Sequence, residues 1–135
     1  MGDPVSSVTK TILVVDDNQD ICAFMRAALE GAGYEVRTAD EGAQALARQH
    51  ERAADLLITD IFMPVLEGFE TISRFKAHFP RTRIIAMSAG SSSGMKHDYL
   101  STAGLLGVDA TLHKPFDTEK LLDVVCKVLA PRLQE

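Results

Sequence analysis

At 135 residues, with 46% hydrophobic and 24% charged side chains, the chain has the size and composition of one globular domain. A formal net charge of −5 and a pI near 5.3 argue against a basic face for nucleic acid, and no apolar run approaches the ~20 residues that cross a bilayer. Two cysteines, Cys22 and Cys126, are too few for a disulfide framework and fit a reducing, cytoplasmic setting.

Residues 1–9 are small and polar and read as a loose N-terminal arm. From Lys10 onward, short apolar runs alternate with segments of helical period. The first run, Thr11–Val15, is a predicted strand. A helix follows, with Ile21, Phe24, Met25, Ala28 and Leu29 on one face and Gly31 and Gly33 marking its end. Glu35–Ala39 alternates polar and apolar residues, which suits an edge strand, and the alanine-rich Glu41–Arg52 favours a helix. Next come a strand over Asp55–Thr59, a helix over Phe69–Phe79, a strand over Arg83–Met87 and a helix over Lys96–Leu106. The last unit is a strand over Ala110–His113 and a helix from Asp117 or Thr118 to about Leu129, stopped before Pro131. Uninterrupted apolar runs such as Ile12–Val15 and Ile84–Met87 suit strands buried on both faces of a parallel sheet. Five such units imply a doubly wound α/β fold with right-handed crossovers and helices on both faces. In that architecture ligands sit beyond the carboxyl ends of the strands.

Asp16 and Asp17 follow the first strand, Asp60 ends the third, Ser88 the fourth and Lys114 the fifth. All five should meet at one edge of the sheet. Three clustered carboxylates repel one another, and one lysine offsets only one charge. A hard divalent cation such as Mg²⁺, which prefers oxygen ligands, supplies the remainder. The chemistry that fits is phosphoryl transfer onto Asp60, with the cation and Lys114 neutralising developing charge and Ser88 hydrogen-bonding a phosphoryl oxygen. Each residue alone also has a plain structural role: Asp16 and Asp17 as helix caps, Asp60 and Lys114-Pro115 in turns, Ser88 as a loop hydroxyl. Their joint placement is what favours a site.

The segments Ile12–Asn18, Asp60–Gly68, Ile85–Gly90 and Gly107–Phe116 together resemble the receiver domain of bacterial two-component response regulators, chemotaxis regulators included. The resemblance spans 10–133, nearly the whole chain. It implies a flavodoxin-like, five-stranded parallel sheet of order 2-1-3-4-5 with five helices. It also implies a cytoplasmic phosphoacceptor that takes a phosphoryl group from the phosphohistidine of a sensor histidine kinase or phosphotransfer protein. Asp60 would be phosphorylated, and Mg²⁺ would be held by Asp16, Asp17, Asp60 and the main-chain carbonyl of Phe62. Lys114 would pair with the phosphoryl group, and the Lys114-Pro115 bond would be cis. Such a protein catalyses only its own phosphorylation and dephosphorylation, and so is not an enzyme in the usual sense.

The chain departs from the family pattern in two places. The family relays phosphorylation through the Ser/Thr hydroxyl, here Ser88, and an aromatic side chain on the fifth strand, where this chain has Thr111. Threonine cannot reproduce an aromatic rotation, which implies an unconventional relay or weak switching. The loop after Ser88, Ala-Gly-Ser-Ser-Ser-Gly-Met, is polar and longer than the family norm.

The last helix carries a core face of Leu121, Val124, Val125 and Val128. A second stripe of Leu122, Cys126, Leu129 and Leu133 reads as deep packing or as a surface for a homodimer or partner. Only Ala130–Glu135 follow that helix, so no effector domain is expected within this chain, and output should be protein contact, with no nucleic acid or membrane bound through this domain. Two alternatives stand beside this reading. An aspartate-based small-molecule phosphohydrolase would place its nucleophile after the first strand with a second acid two residues on, where this chain has Asp16-Asp17-Asn18. A non-phosphorylated pseudo-receiver would act as a binding module. A flavodoxin-like cofactor protein is disfavoured, because no Gly-rich phosphate cradle follows the first strand.

Overall fold

The computed structural model describes residues 9–61, 65–88, 104 and 106–131, with the main chain alone at 65–67. The chain runs β1 (Thr11–Val15), α1 (Gln19–Gly31), β2 (Glu35–Ala39), α2 (Gly42–Glu51), β3 (Leu56–Asp60), α3 (Val65–His78), β4 (Arg83–Ser88), β5 (Ala110–His113) and α4 (Thr118–Leu129). All strand pairs are parallel, and the sheet order is β2-β1-β3-β4-β5. Among the described residues there are four helices. The helix expected over Lys96–Leu106 lies outside them except for Gly104 and Leu106, as do residues 1–8, Phe62 and the loop after Ser88.

The two-residue period of the strands divides the apolar runs between two cores. Leu13, Val15, Leu57, Ile84 and Ala86 face one layer with Ala45 of α2 and Ile72 and Phe75 of α3. Ile12, Val14, Leu56, Ile58, Ile85 and Met87 face the other, with Met25 and Leu29 of α1 and Leu121 and Val125 of α4. Every residue of β1 and β3 is buried, which is why those strands have no polar alternation. Burying each such Val, Leu or Ile contributes about 1.5–3 kcal/mol, so the central strands anchor the sheet edge that carries the site.

The alternating strand lies at the edge, as expected. β2 pairs with β1 alone, and Arg26 of α1 donates to the Val36 carbonyl at 2.8 Å, covering part of its open side. Arg37 of β2 donates to the carbonyls of Arg48 and Arg52 at the end of α2, where α-helical carbonyls lack partners. At the opposite end of the sheet from the site, two aspartates extend the ladder with their side chains. Thr11 N–H donates to Asp55 Oδ2 and Ile84 N–H to Asp109 Oδ2, both at 2.8 Å.

Helix ends follow local chemistry. Asn18 caps α1, accepting from Ile21 N–H at 3.1 Å, and Asp117 caps α4, accepting from Lys120 N–H at 2.8 Å. Gly31 is the last residue of α1, and Gly33 takes φ +101°, the left-handed conformation that ends the segment. α3 begins at Val65, four residues before the expected start at Phe69. Pro64 in the preceding position suits a helix N-terminus, and Gly68, which looks like a boundary in sequence, lies inside the helix. On α4, Leu121, Val125 and Val128 are buried and Val124 is half-buried. Cys126, on the stripe that reads as deep packing or as a partner surface, is exposed. Among the described residues no helix is long and apolar enough to cross a membrane.

Candidate functional site

Five expected site residues with described positions line the carboxyl edge of the sheet. Asp16 and Asp17 directly follow β1, Asp60 closes β3, Ser88 closes β4, and Lys114 directly follows β5. Parallel register brings them level: Asp60 lies opposite Met87, and Ser88 opposite His113. The ladder continues past the strand ends, with Asp16 N–H donating to Ala39 O between β1 and β2 at 3.1 Å and Ile61 N–H to Met87 O between β3 and β4 at 3.0 Å. Lys114 N–H donates to Ser88 O at 2.9 Å, which places the lysine main chain against the end of β4.

The side chains converge. Lys114 Nζ lies 2.7 Å from Asp16 Oδ2 and 3.1 Å from Asp60 Oδ2, so one ammonium bridges two carboxylates. Asp16 is 1% exposed and Asp60 5%. One carboxylate oxygen from each of Asp16, Asp17 and Asp60 lies within 4.8 Å of the other two, with Asp17 exposed to solvent. Asp16 Oδ1 accepts from Asn18 N–H at 2.8 Å, a short Asx turn that aims the carboxylate into the cleft. Capping of α1 belongs to Asn18, so the Asp16-Asp17 pair is not consumed by that structural role.

Burial works to lower the Lys114 pKa, but the hydrogen bond from its ammonium to Asp16 and the fields of Asp60 and Asp16 outweigh it. The net displacement is upward from the ordinary lysine value. Lys114 is therefore a fixed positive charge at neutral pH. Among the described residues, three carboxylates gather around this ammonium in a partly buried cleft, an oxygen donor set that suits a hard divalent cation.

The expected cis-proline and the Thr111 position are both in view. Lys114-Pro115 is cis. Thr111 lies on β5 opposite Ala86 and is exposed, so no aromatic ring stands at that point of the strand. Phe62, expected to offer its carbonyl, lies outside the described residues.

Two contacts at the site escape sequence reasoning. The Cys22 thiol donates to the Asp16 carbonyl at 3.4 Å, and burial, together with the fields of Asp16 and Asp40, pushes its pKa up to about 11. The bond spans the turn between β1 and α1, and a separation of six residues carries no helical or strand signature that would announce it. Gly68 is the second. A Cβ built there would lie 2.6 Å from Ile61 Cα, so the first turn of α3 rests on the main chain beside Asp60. No sequence signal separates such a glycine from one that ends a helix.

The profile of the response regulator receiver domain matches residues 12–126. Transcriptional regulatory protein ZraR of Klebsiella oxytoca is 37% identical over 125 residues, covering 92% of this chain and 27% of that protein. Transcriptional regulatory protein PrrA of Mycobacterium tuberculosis is 36% identical over 122 residues, covering 90% of this chain and 50% of that protein. The chain thus spans from about a quarter to half the length of these relatives. Among solved structures, chemotaxis response regulator CheY4 of Vibrio cholerae aligns with a TM-score of 0.79 at 32% identity, over 90% of this chain and 100% of that one. A response regulator from Thermotoga maritima aligns with a TM-score of 0.82 at 27% identity, over 92% of this chain and 100% of that one. Sheet order, the acidic cleft with its bridging lysine and these matches agree: the chain belongs to the response regulator receiver domain family of two-component signalling.

Proposed function

We propose that the cleft accepts one phosphoryl group on Asp60 from the phosphohistidine of a sensor histidine kinase or phosphotransfer protein. The observation that carries this reading is a lysine bridging two buried carboxylates, with a third carboxylate in the same cluster. Asp16, Asp17 and Asp60, with the Phe62 carbonyl, would hold Mg²⁺, which offsets charge on the phosphoryl oxygens as it transfers. A carboxylate oxygen of Asp60 attacks phosphorus. The P–N bond breaks, and the imidazole keeps its electron pair and leaves neutral, because its other ring nitrogen carries a proton. Lys114 then pairs with the new phosphoryl group, and Ser88, at the end of the neighbouring strand, hydrogen-bonds one of its oxygens.

The product is an acyl phosphate, a signal rather than a turned-over substrate. It acts in the cytoplasm through contact with a downstream protein, and with Thr111 in the fifth strand it leaves the site by a route other than aromatic rotation. Intact mass after incubation with Mg²⁺ and a small acyl phosphate tests the reading. A single phosphoryl adduct is expected, labile in alkali and absent from Asp60→Asn. No adduct, or one that persists in Asp60→Asn, overturns it.

A further inference from the structure

We infer that Gly68 is a positioning residue for the reacting carboxylate, acting through the main chain of Ile61. This inference rests on the phosphoacceptor reading of Asp60 and extends it to a residue that touches no reacting atom. A Cβ at position 68 would lie 2.6 Å from Ile61 Cα and 3.0 Å from both the carbon and the oxygen of the Ile61 carbonyl. These atoms are backbone, so no side-chain rotation relieves the contact. Ile61 has nowhere easy to go. Its N–H donates to Met87 O at 3.0 Å, extending the β3–β4 ladder, and its side chain is fully buried in the core that holds Ile72 and Phe75 of α3. The main chain following Asp60 is therefore held between β4 on one side and the first turn of α3 on the other.

Asp60 is one peptide away. Its carboxylate lies 3.1 Å from Lys114 Nζ and within 4.8 Å of the Asp16 and Asp17 oxygens. A displacement of Ile61 by a few tenths of an ångström turns that carboxylate with it. Gly68 sits inside a 14-residue helix, where alanine is intrinsically the better helix former by about 0.8–1 kcal/mol. A glycine with a purely local role would be improved by alanine; a positioning glycine would not.

The test compares Gly68→Ala with the wild type and with Ser73→Ala, an exposed α3 control, in the full chain. Two quantities are read per folded molecule: Mg²⁺ affinity of the unphosphorylated protein by calorimetry, and the rate of phosphorylation by a small acyl phosphate. Gly68→Ala is expected to weaken Mg²⁺ binding severalfold and slow phosphorylation by about 10–100-fold, the scale set by sub-ångström to 1 Å misplacement of a reacting group. Ser73→Ala should match the wild type in both. Should Gly68→Ala melt near room temperature, both readouts are taken cold in sucrose, which favours the compact state. Wild-type affinity and rate in Gly68→Ala overturn the inference, and so does failure to fold even in sucrose, which would make Gly68 a general packing residue. If the wild type itself takes no phosphoryl group, the phosphoacceptor reading fails, while the Mg²⁺ affinity still decides the role of Gly68.

Discussion

Lys114 is the residue on which the electrostatics of the cleft turn. Its side chain is 12% exposed, and those of Asp16 and Asp60 are 1% and 7%. Removing the ammonium takes the bridging cation away from two buried carboxylates, a change that costs about 3–5 kcal/mol in comparable sites. Lys114→Met is expected to lower stability by about 3 kcal/mol in chelator, measured by denaturant unfolding, and to bind Mg²⁺ more tightly because a competing cation is gone. Because the folded-state pKa is raised, the lysine's contribution is fully present below its unfolded value of about 10.4 and is lost as pH rises through the higher folded value. The gap between wild type and Lys114→Met should therefore stay constant through neutral pH and close only on the alkaline side. A variant as stable as the wild type at neutral pH would show that the pair contributes nothing. The sequence placed Lys114 at the end of the fifth strand. That its nearer partner is Asp16 rather than Asp60 came from side-chain geometry alone.

At the scale of elements, the ends of α1 and α4 were legible because capping is local: Asn18 and Asp117 sit next to the turns they satisfy. The start of α3 was not, because Gly68 is set by a contact with Ile61 seven residues back in the chain. A buried polar clamp was equally hidden. Gln49 Nε2 donates to Thr82 Oγ1 at 2.9 Å, Thr82 Oγ1 donates to Ala54 O at 2.8 Å, and Ala54 N–H donates to Gln49 Oε1 at 3.0 Å. These bonds tie the end of α2, the start of β3 and the turn before β4, at the end of the sheet opposite the site. Thr82→Val keeps the shape but leaves the Gln49 donor and the Ala54 carbonyl short of a partner, at about 1–3 kcal/mol for each buried group. Thermal melting should show that loss, Thr82→Ser should stay near the wild type, and phosphorylation rates should be unchanged in both. An equally stable Thr82→Val would mean that water replaces the clamp.

For the whole molecule, the carboxylate cluster of the cleft links folding to divalent cations. Folding brings Asp60 up to the adjacent Asp16-Asp17 pair, which in the unfolded chain lies more than forty residues away from it. Mg²⁺ should therefore raise the melting temperature, with a gain of about 1.4 kcal/mol at ten times its dissociation constant. Sodium chloride at matched ionic strength should not. Asp17 is exposed, so Asp17→Ala is expected to fold normally and to lose most of the Mg²⁺ effect. An undiminished shift in Asp17→Ala would place the bound cation elsewhere.

By itself the sequence determined the chain order of the five strands and of the four described helices, the edge position of β2, the two-faced burial of the central strands and the placing of Asp16, Asp17, Asp60, Ser88 and Lys114 at the carboxyl edge. Those properties follow from residue periodicity and from the handedness of parallel crossovers, both of which are local or topological. Tertiary structure alone decided how the residues meet at that edge: Lys114 bridging Asp16 and Asp60, the Cys22 thiol on the Asp16 carbonyl, and Gly68 against Ile61. Such contacts join residues up to 98 positions apart at distances of a few ångströms, and they are set by close packing of both cores rather than by any pattern along the chain.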